Sequence, residues 1–144
     1  MATVEKILMA KGPNVIVASK ATTVREAVNL MCEANVGSII VKDDEVTEGI
    51  FTERDLLRRV VSPGHCPDTT PLGQVMTSPV RSVKLSTTIS ECKNIFAQEH
   101  IRHLAIIEQN SLLGVIGLRD VLAIKLEEDE KIINKIVEQM DDVK

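Results

Sequence analysis

The sequence contains no tryptophan, no tyrosine and two phenylalanines, Phe51 and Phe96, in 144 residues. An aromatic platform for stacking single-stranded bases is therefore excluded, and the core has to be aliphatic. Positive charge is not in excess: 17 Lys and Arg against 21 Asp and Glu leave a net charge of -4. No chain-wide basic field is available for phosphate backbones or anionic lipid, so nucleic acid and membrane drop out as main partners. No apolar run approaches the roughly 20 residues that span a bilayer. The opening Met1-Ala2-Thr3-Val4-Glu5-Lys6 lacks the charged-then-apolar pattern of a secretory signal. Three cysteines, Cys32, Cys66 and Cys92, cannot all pair within one chain and form no C-x-x-C, which reads as a reducing, cytoplasmic compartment. With 44% hydrophobic and 26% charged residues, the chain has the composition of one folded domain, or of two small units sharing a core.

Sliding the sequence against itself brings out a repeat at an offset of 65 residues. Ala21 to Leu57 then lie over Ser86 to Leu122 without a gap. The identities are Thr22/Thr87, Thr23/Thr88, Glu26/Glu91, Asn29/Asn94, Gly49/Gly114, Arg54/Arg119, Asp55/Asp120 and Leu57/Leu122, where chance gives roughly two. Apolar positions match as well, among them Val24/Ile89, Ile39/Leu104, Val41/Ile106 and Ile50/Val115.

Each copy reads as strand, helix, strand, strand, helix, preceded by a short helical turn at Val4 to Ala10 or Leu72 to Met76. Thr23-x-x-Glu26 and Thr88-x-x-Glu91 have the spacing of capping boxes and predict helix starts. The apolar residues that follow recur at helical spacing: Val24, Ala27, Val28 and Met31, then Ile89, Cys92, Ile95 and Phe96. Ser38 to Val41 and Leu104 to Ile107 read as buried strands ended by polar turns. A further strand ends at Gly49-Ile50-Phe51 and at Gly114-Val115-Ile116, and runs into helices at Glu53 to Val61 and from Leu118 onward. The fold class expected is mixed α/β: two units, each a small mixed sheet with two helices, packed sheet against sheet with pseudo-two-fold symmetry. The units divide as 1–70, with a turn-rich linker over 62–70, and 71–144. Asp120 to Lys144 predicts a long, partly amphipathic helix with a face for a partner.

The strand-to-helix junctions carry the chemistry. Gly49-Ile50-Phe51-Thr52-Glu53-Arg54-Asp55 places Thr52 at the N-cap and Asp55 in the first turn. Free amides there attract an anion or a hydroxyl-bearing ligand, and a fixed carboxylate can accept both hydroxyls of a ribose. An ordinary capping box is the competing reading. Arg119-Asp120 repeats Arg54-Asp55, but Thr52 becomes Gly117, which caps without a hydroxyl. Retention of the acid beside a lost Thr favours ligand over cap.

This pattern, Gly-apolar-x-Thr/Ser-x-x-Asp, with Met76-Thr77-Ser78-Pro79-Val80 opening the second copy, resembles a tandem pair of cystathionine-β-synthase (CBS) domains, a Bateman module, over roughly residues 2 to 126. The resemblance implies a homodimer with two clefts for an adenosine-containing ligand: AMP, ADP or ATP, or else NAD(H) or S-adenosylmethionine. It implies a regulatory, energy-sensing module acting on another protein, with no catalytic cofactor, rather than an enzyme. Carried over by position, Thr52 and Asp55 hold a phosphate-proximal oxygen and ribose in one cleft, Asp120 holds ribose in the other, and Arg54 and Arg119 flank them. Thr77, Ser78, Pro79 and Val80 line one adenine pocket, and Gly12 to Val15 line the other. Ile101, Arg102 and His103 resemble a basic pair that contacts phosphate, where the first copy has Val36-Gly37-Ser38. Gly117 departs from the family pattern and weakens the second cleft.

The remaining chemistry-bearing residues read as structural. Cys32 and Cys92 fall on apolar helix faces and are expected in the core, and Met9, Met31 and Met76 are expected to fill core gaps. Cys66 beside His65 supplies two metal ligands without a partner pair. No nucleophile stands next to a base. A dimerisation module with degenerate clefts, held to its partner by the C-terminal helix, is the rival to ligand binding.

Overall fold

The computed structural model describes residues 1–13 and 15–142. Asn14, within the expected Gly12 to Val15 lining, and Val143 and Lys144, at the end of the expected last helix, lie outside the described residues. The elements follow in the order α1 (Val4–Lys11), β1 (Val17–Ala18), α2 (Val24–Ala34), β2 (Ser38–Asp43), β3 (Val46–Thr52), α3 (Glu53–Asp55), α4 (Leu72–Val75), β4 (Ser82–Val83), α5 (Ile89–Glu99), β5 (His103–Glu108), β6 (Ser111–Gly117) and α6 (Leu118–Asp142). The α3 turn continues as a π-helix over Leu56–Val61, a widening that the sequence pattern does not announce.

Two three-stranded sheets result, ordered β1-β2-β3 and β4-β5-β6, with the first pair of each parallel and the second antiparallel. The repeat extends to backbone detail. Bulges fall between Val41 and Lys42 and between Ile106 and Ile107. Left-handed residues fall at Asn35 and His100, closing α2 and α5, and at Asp44 and Gln109 in the hairpin turns. Every one of these pairs is separated by the offset of 65. The first helix of each copy starts on its threonine: Thr88 makes a full capping box with Glu91, whereas Thr23 accepts only the Glu26 N–H and the reciprocal bond is missing.

Strand alternation sorts the side chains into three apolar layers. Ile39, Val41 and Phe51 point to one side and join Val24, Ala27, Met31 and Val60. Leu104, Ile106 and Ile116 do the same with Ile89, Cys92, Phe96 and Val121. The intervening Ile40, Ile50 and Ala105 face the other way and seal one sheet against the other. The leading helices are exchanged. Val4 and Ile7 of α1 are buried in the second core, and Leu72 and Val75 of α4 in the first. Backbone bonds fix the exchange, with Val4 N–H donating to Thr87 O and Leu72 N–H to Thr22 O, each at 2.8 Å.

Two sequence expectations fail. Cys32 is exposed although Cys92 is buried, because the core-facing stripe of α2 runs through Val24, Ala27 and Met31 and leaves Cys32 one position past it. Met9 is 80% exposed, since α1 turns only Val4 and Ile7 fully inward.

Candidate ligand site at the strand-to-helix junctions

The exchange of leading helices brings a segment of one copy over the strand-to-helix junction of the other. In the first junction Thr52 N–H donates to Asp55 Oδ2 at 3.0 Å, and Asp55 N–H donates to Thr52 Oγ1 at 3.3 Å, a complete capping box. The Thr52 hydroxyl lies 3.2 Å from the same Oδ2. The other oxygen, Oδ1, accepts from Thr77 Oγ1 at 2.9 Å, and Arg59 Nε stands 3.6 Å away. Asp55 is only 6% exposed, and both of its oxygens are engaged.

Thr77 is held there by backbone. Its N–H and C=O exchange bonds with Ile50 at 2.8 and 2.9 Å, beside Gly49, where an added Cβ would lie 2.6 Å from Thr77 O. Only glycine admits this approach, which accounts for the Gly at that place in the pattern.

The second junction is more open. Gly117 N–H donates to Asp120 Oδ2 at 2.8 Å, and with no hydroxyl beside it the carboxylate takes a different partner. Lys11 Nζ, at the end of α1, donates to Asp120 Oδ2 and to Val115 O, both at 2.9 Å. Val115 is the repeat counterpart of Ile50, so one ammonium stands in for both the amide and the hydroxyl of Thr77. Asp120 keeps 28% of its side chain exposed, and its Oδ1 has no hydrogen bond among the described residues. Of the two acids it is the one with acceptor capacity to offer a ligand.

Between the junctions lies His103. A Cβ added at Gly117 would sit 3.8 Å from His103 Cδ2, and one added at Gly37 would sit 3.5 Å from its Nε2 and 2.9 Å from Glu53 Oε1. Burial pushes the imidazole below its ordinary value of 6.5; Glu53 and Asp120 pull it up, while Lys11 and Arg102 pull it down. The folded protein therefore holds this ring neutral at a pH where the unfolded chain takes up a proton. Stability from this group is complete above 6.5 and falls as the pH drops from 6.5 towards the lowered value. Scanning calorimetry should show the midpoint of wild type falling more steeply between pH 7 and 5.5 than that of His103→Gln. Parallel slopes would mean that the ring is not the titrating group.

Of the other sequence-nominated residues, Arg54, Ile101 and Arg102 share one hollow and the rest are dispersed. Arg54 donates to His100 O and ties the first junction to the end of α5. Arg102 is exposed and lines a hollow of about 390 Å³ with Arg54, Lys93 and His100 over an apolar floor including Phe96. That hollow is not lined by Asp55 or Asp120. Ile101 packs against the second core, Val80 joins the inter-sheet layer, and the Ser78 hydroxyl donates to Glu48 O at 2.6 Å. Pro79, Val36 and Arg119 are exposed. The sequence reading missed Lys11, Glu53 and Arg59. Lys11 had one usable signal: the offset places a lysine opposite Met76, one residue before Thr77.

Comparison with known proteins shows the family and the fold. The CBS domain family profile matches residues 4–62 and 72–127, and the chain belongs to that family. It is 34% identical over 99 residues to the CBS domain-containing protein YhcV of Bacillus subtilis, covering 69% of this chain and 70% of that one. It is 33% identical over 116 residues to protein MK0525 of Methanopyrus kandleri, covering 78% of this chain but only 58% of the other. The crystal structure of the CBS-domain containing protein ATU1752 from Agrobacterium tumefaciens superposes with a TM-score of 0.82 at 28% identity, over 86% of this chain and 99% of that one. Two mixed sheets of three strands with flanking helices are thus the tandem CBS fold, a regulatory module that typically binds ligands. Among the described residues no helix is long and apolar enough to cross a membrane.

Proposed function

We propose that this chain is a regulatory rather than catalytic module that binds an adenosine nucleotide of the AMP, ADP or ATP class, works as a homodimer, and passes ligand occupancy to another protein. The observation that carries the reading is the Asp120 carboxylate. It is fixed by Gly117 N–H, its Oδ1 takes no hydrogen bond among the described residues, and it stands beside an ammonium and an imidazole. A ribose offers this oxygen two hydroxyl donors, and Lys11 can exchange Asp120 for the ligand's phosphate, so the ammonium stays paired while the carboxylate takes the diol. A ligand shifts only an equilibrium whose states it binds unequally. Release of Lys11 from Val115 and Asp120 supplies such a difference, because it loosens the end of α1, a helix packed in the second core. NAD(H) and S-adenosylmethionine carry the same diol and belong to the same reading.

The enclosed state of Asp55 favours a second reading, a dimerisation module whose clefts no longer take a ligand. A thermal-shift screen with AMP, ATP, NADH and S-adenosylmethionine separates them. A ligand present at a hundred times its Kd adds about 2.7 kcal/mol of stability. A clear rise of the midpoint with one of the four is expected, and flat curves with all of them would leave the dimerisation module standing.

A further inference from the structure

Residues 129–140 of α6 are all exposed, so this half of the helix gains nothing from the two cores. It is nonetheless apolar on one side: Ile132, Ile133, Ile136, Val137 and Met140 are each at least half exposed. Together with Leu122 and Leu126 earlier in the helix, these residues fall into a heptad frame. Leu126, Ile133 and Met140 occupy the a positions, and Leu122 and Ile136 the d positions, with Asp129 as the single polar d residue. At about 100° per residue, this seam lies on the side of the helix opposite Val121 and Ile124, which are buried in the second core. One helix thus carries two apolar faces, one used within the chain and the other open.

We propose that this open face pairs in parallel with α6 of a second copy of the chain. The flanking residues argue for self-pairing and for its direction. In a parallel pair each g residue meets the e residue five positions later on the other helix. Lys125 (g) then meets Glu130 (e), giving opposite charges on both sides of the two-fold axis. Ile132 (g) meets Val137 (e), an apolar contact that accounts for two exposed residues outside the a and d positions. Asp129, with Lys125 on its own helix 3.8 Å away, is the polar interruption that weakens the pair and fixes its register.

The inference deepens the homodimer part of the proposed function and rests on that part alone, not on the ligand. The test uses the full chain with Cys32→Ser and Cys66→Ser, which removes the two exposed thiols. Adding Met140→Cys should give a disulfide-linked dimer on mild oxidation, because equal a positions face each other only in a parallel pair. Adding Ile133→Asp and Ile136→Asp should abolish that crosslink and raise the dimer Kd in sedimentation equilibrium at least tenfold, with an unchanged circular dichroism melt of the two cores. Asp129→Leu should lower the Kd. If the Met140→Cys protein sediments as a dimer but does not crosslink, the seam is wrong and the homodimer stands. If it sediments as a monomer at high micromolar concentration, both fail. An unchanged Kd in the double Asp variant would also overturn the seam.

Discussion

Asp55→Ala is expected to lower the stability of the chain by about 2 to 3 kcal/mol, measured as a fall in the urea midpoint at constant slope. The carboxylate is a structural hub. It accepts from the Thr52 amide and hydroxyl through one oxygen and from the Thr77 hydroxyl through the other, and Asp55 itself is only 6% exposed. Alanine removes the reciprocal half of the capping box, in which the carboxylate accepts the Thr52 N–H, and leaves the half-buried Thr52 and Thr77 hydroxyls without this acceptor. It also cuts the side-chain tie that holds the Thr77 segment to the first junction. A loss below about 0.5 kcal/mol, the range of an ordinary surface change, would contradict this role.

Asp120→Ala should act on binding instead. Losing a charge-assisted contact worth roughly 1.5 to 3 kcal/mol weakens AMP binding by about tenfold to a hundredfold. Stability should change little, because the carboxylate is partly exposed and an exposed ion pair contributes only about 0.2 to 1 kcal/mol. Lys11→Met is the companion variant. It frees the carboxylate of its internal competitor, so adenosine, which has the diol but no phosphate, should bind up to about fivefold more tightly, while AMP binds more weakly. If both ligands tightened, Lys11 would be a plug and not a phosphate partner. Isothermal calorimetry on the three proteins measures all of these constants.

The duplication was legible in the sequence because it rests on side-chain types at a fixed offset, and the bulges, left-handed turns and strand registers repeat at the same 65 residues. Gly49 and Gly114 were legible as part of the pattern, but the reason for Gly49 was not: it faces a backbone carbonyl contributed by a segment 28 residues later. The exchange of α1 and α4 was not legible either, since apolar periodicity says which face of a helix is buried but not against which core. Lys11 was missed for the same reason. It reaches Asp120 across 109 residues, and the side chain it replaces, Thr77, does not align with it. The relative openness of the two acids was not legible from Thr52 and Gly117. The missing hydroxyl leaves Asp120 less enclosed, and the hydroxyl that is present helps to enclose Asp55.

The most direct measurement is a crystal structure of the protein with AMP at saturating concentration. The account predicts the ribose hydroxyls within hydrogen-bond distance of Asp120, and Lys11 Nζ moved from Val115 O to the phosphate. A nucleotide bound elsewhere on the protein, or a second junction unchanged with Lys11 still on Asp120, would contradict it.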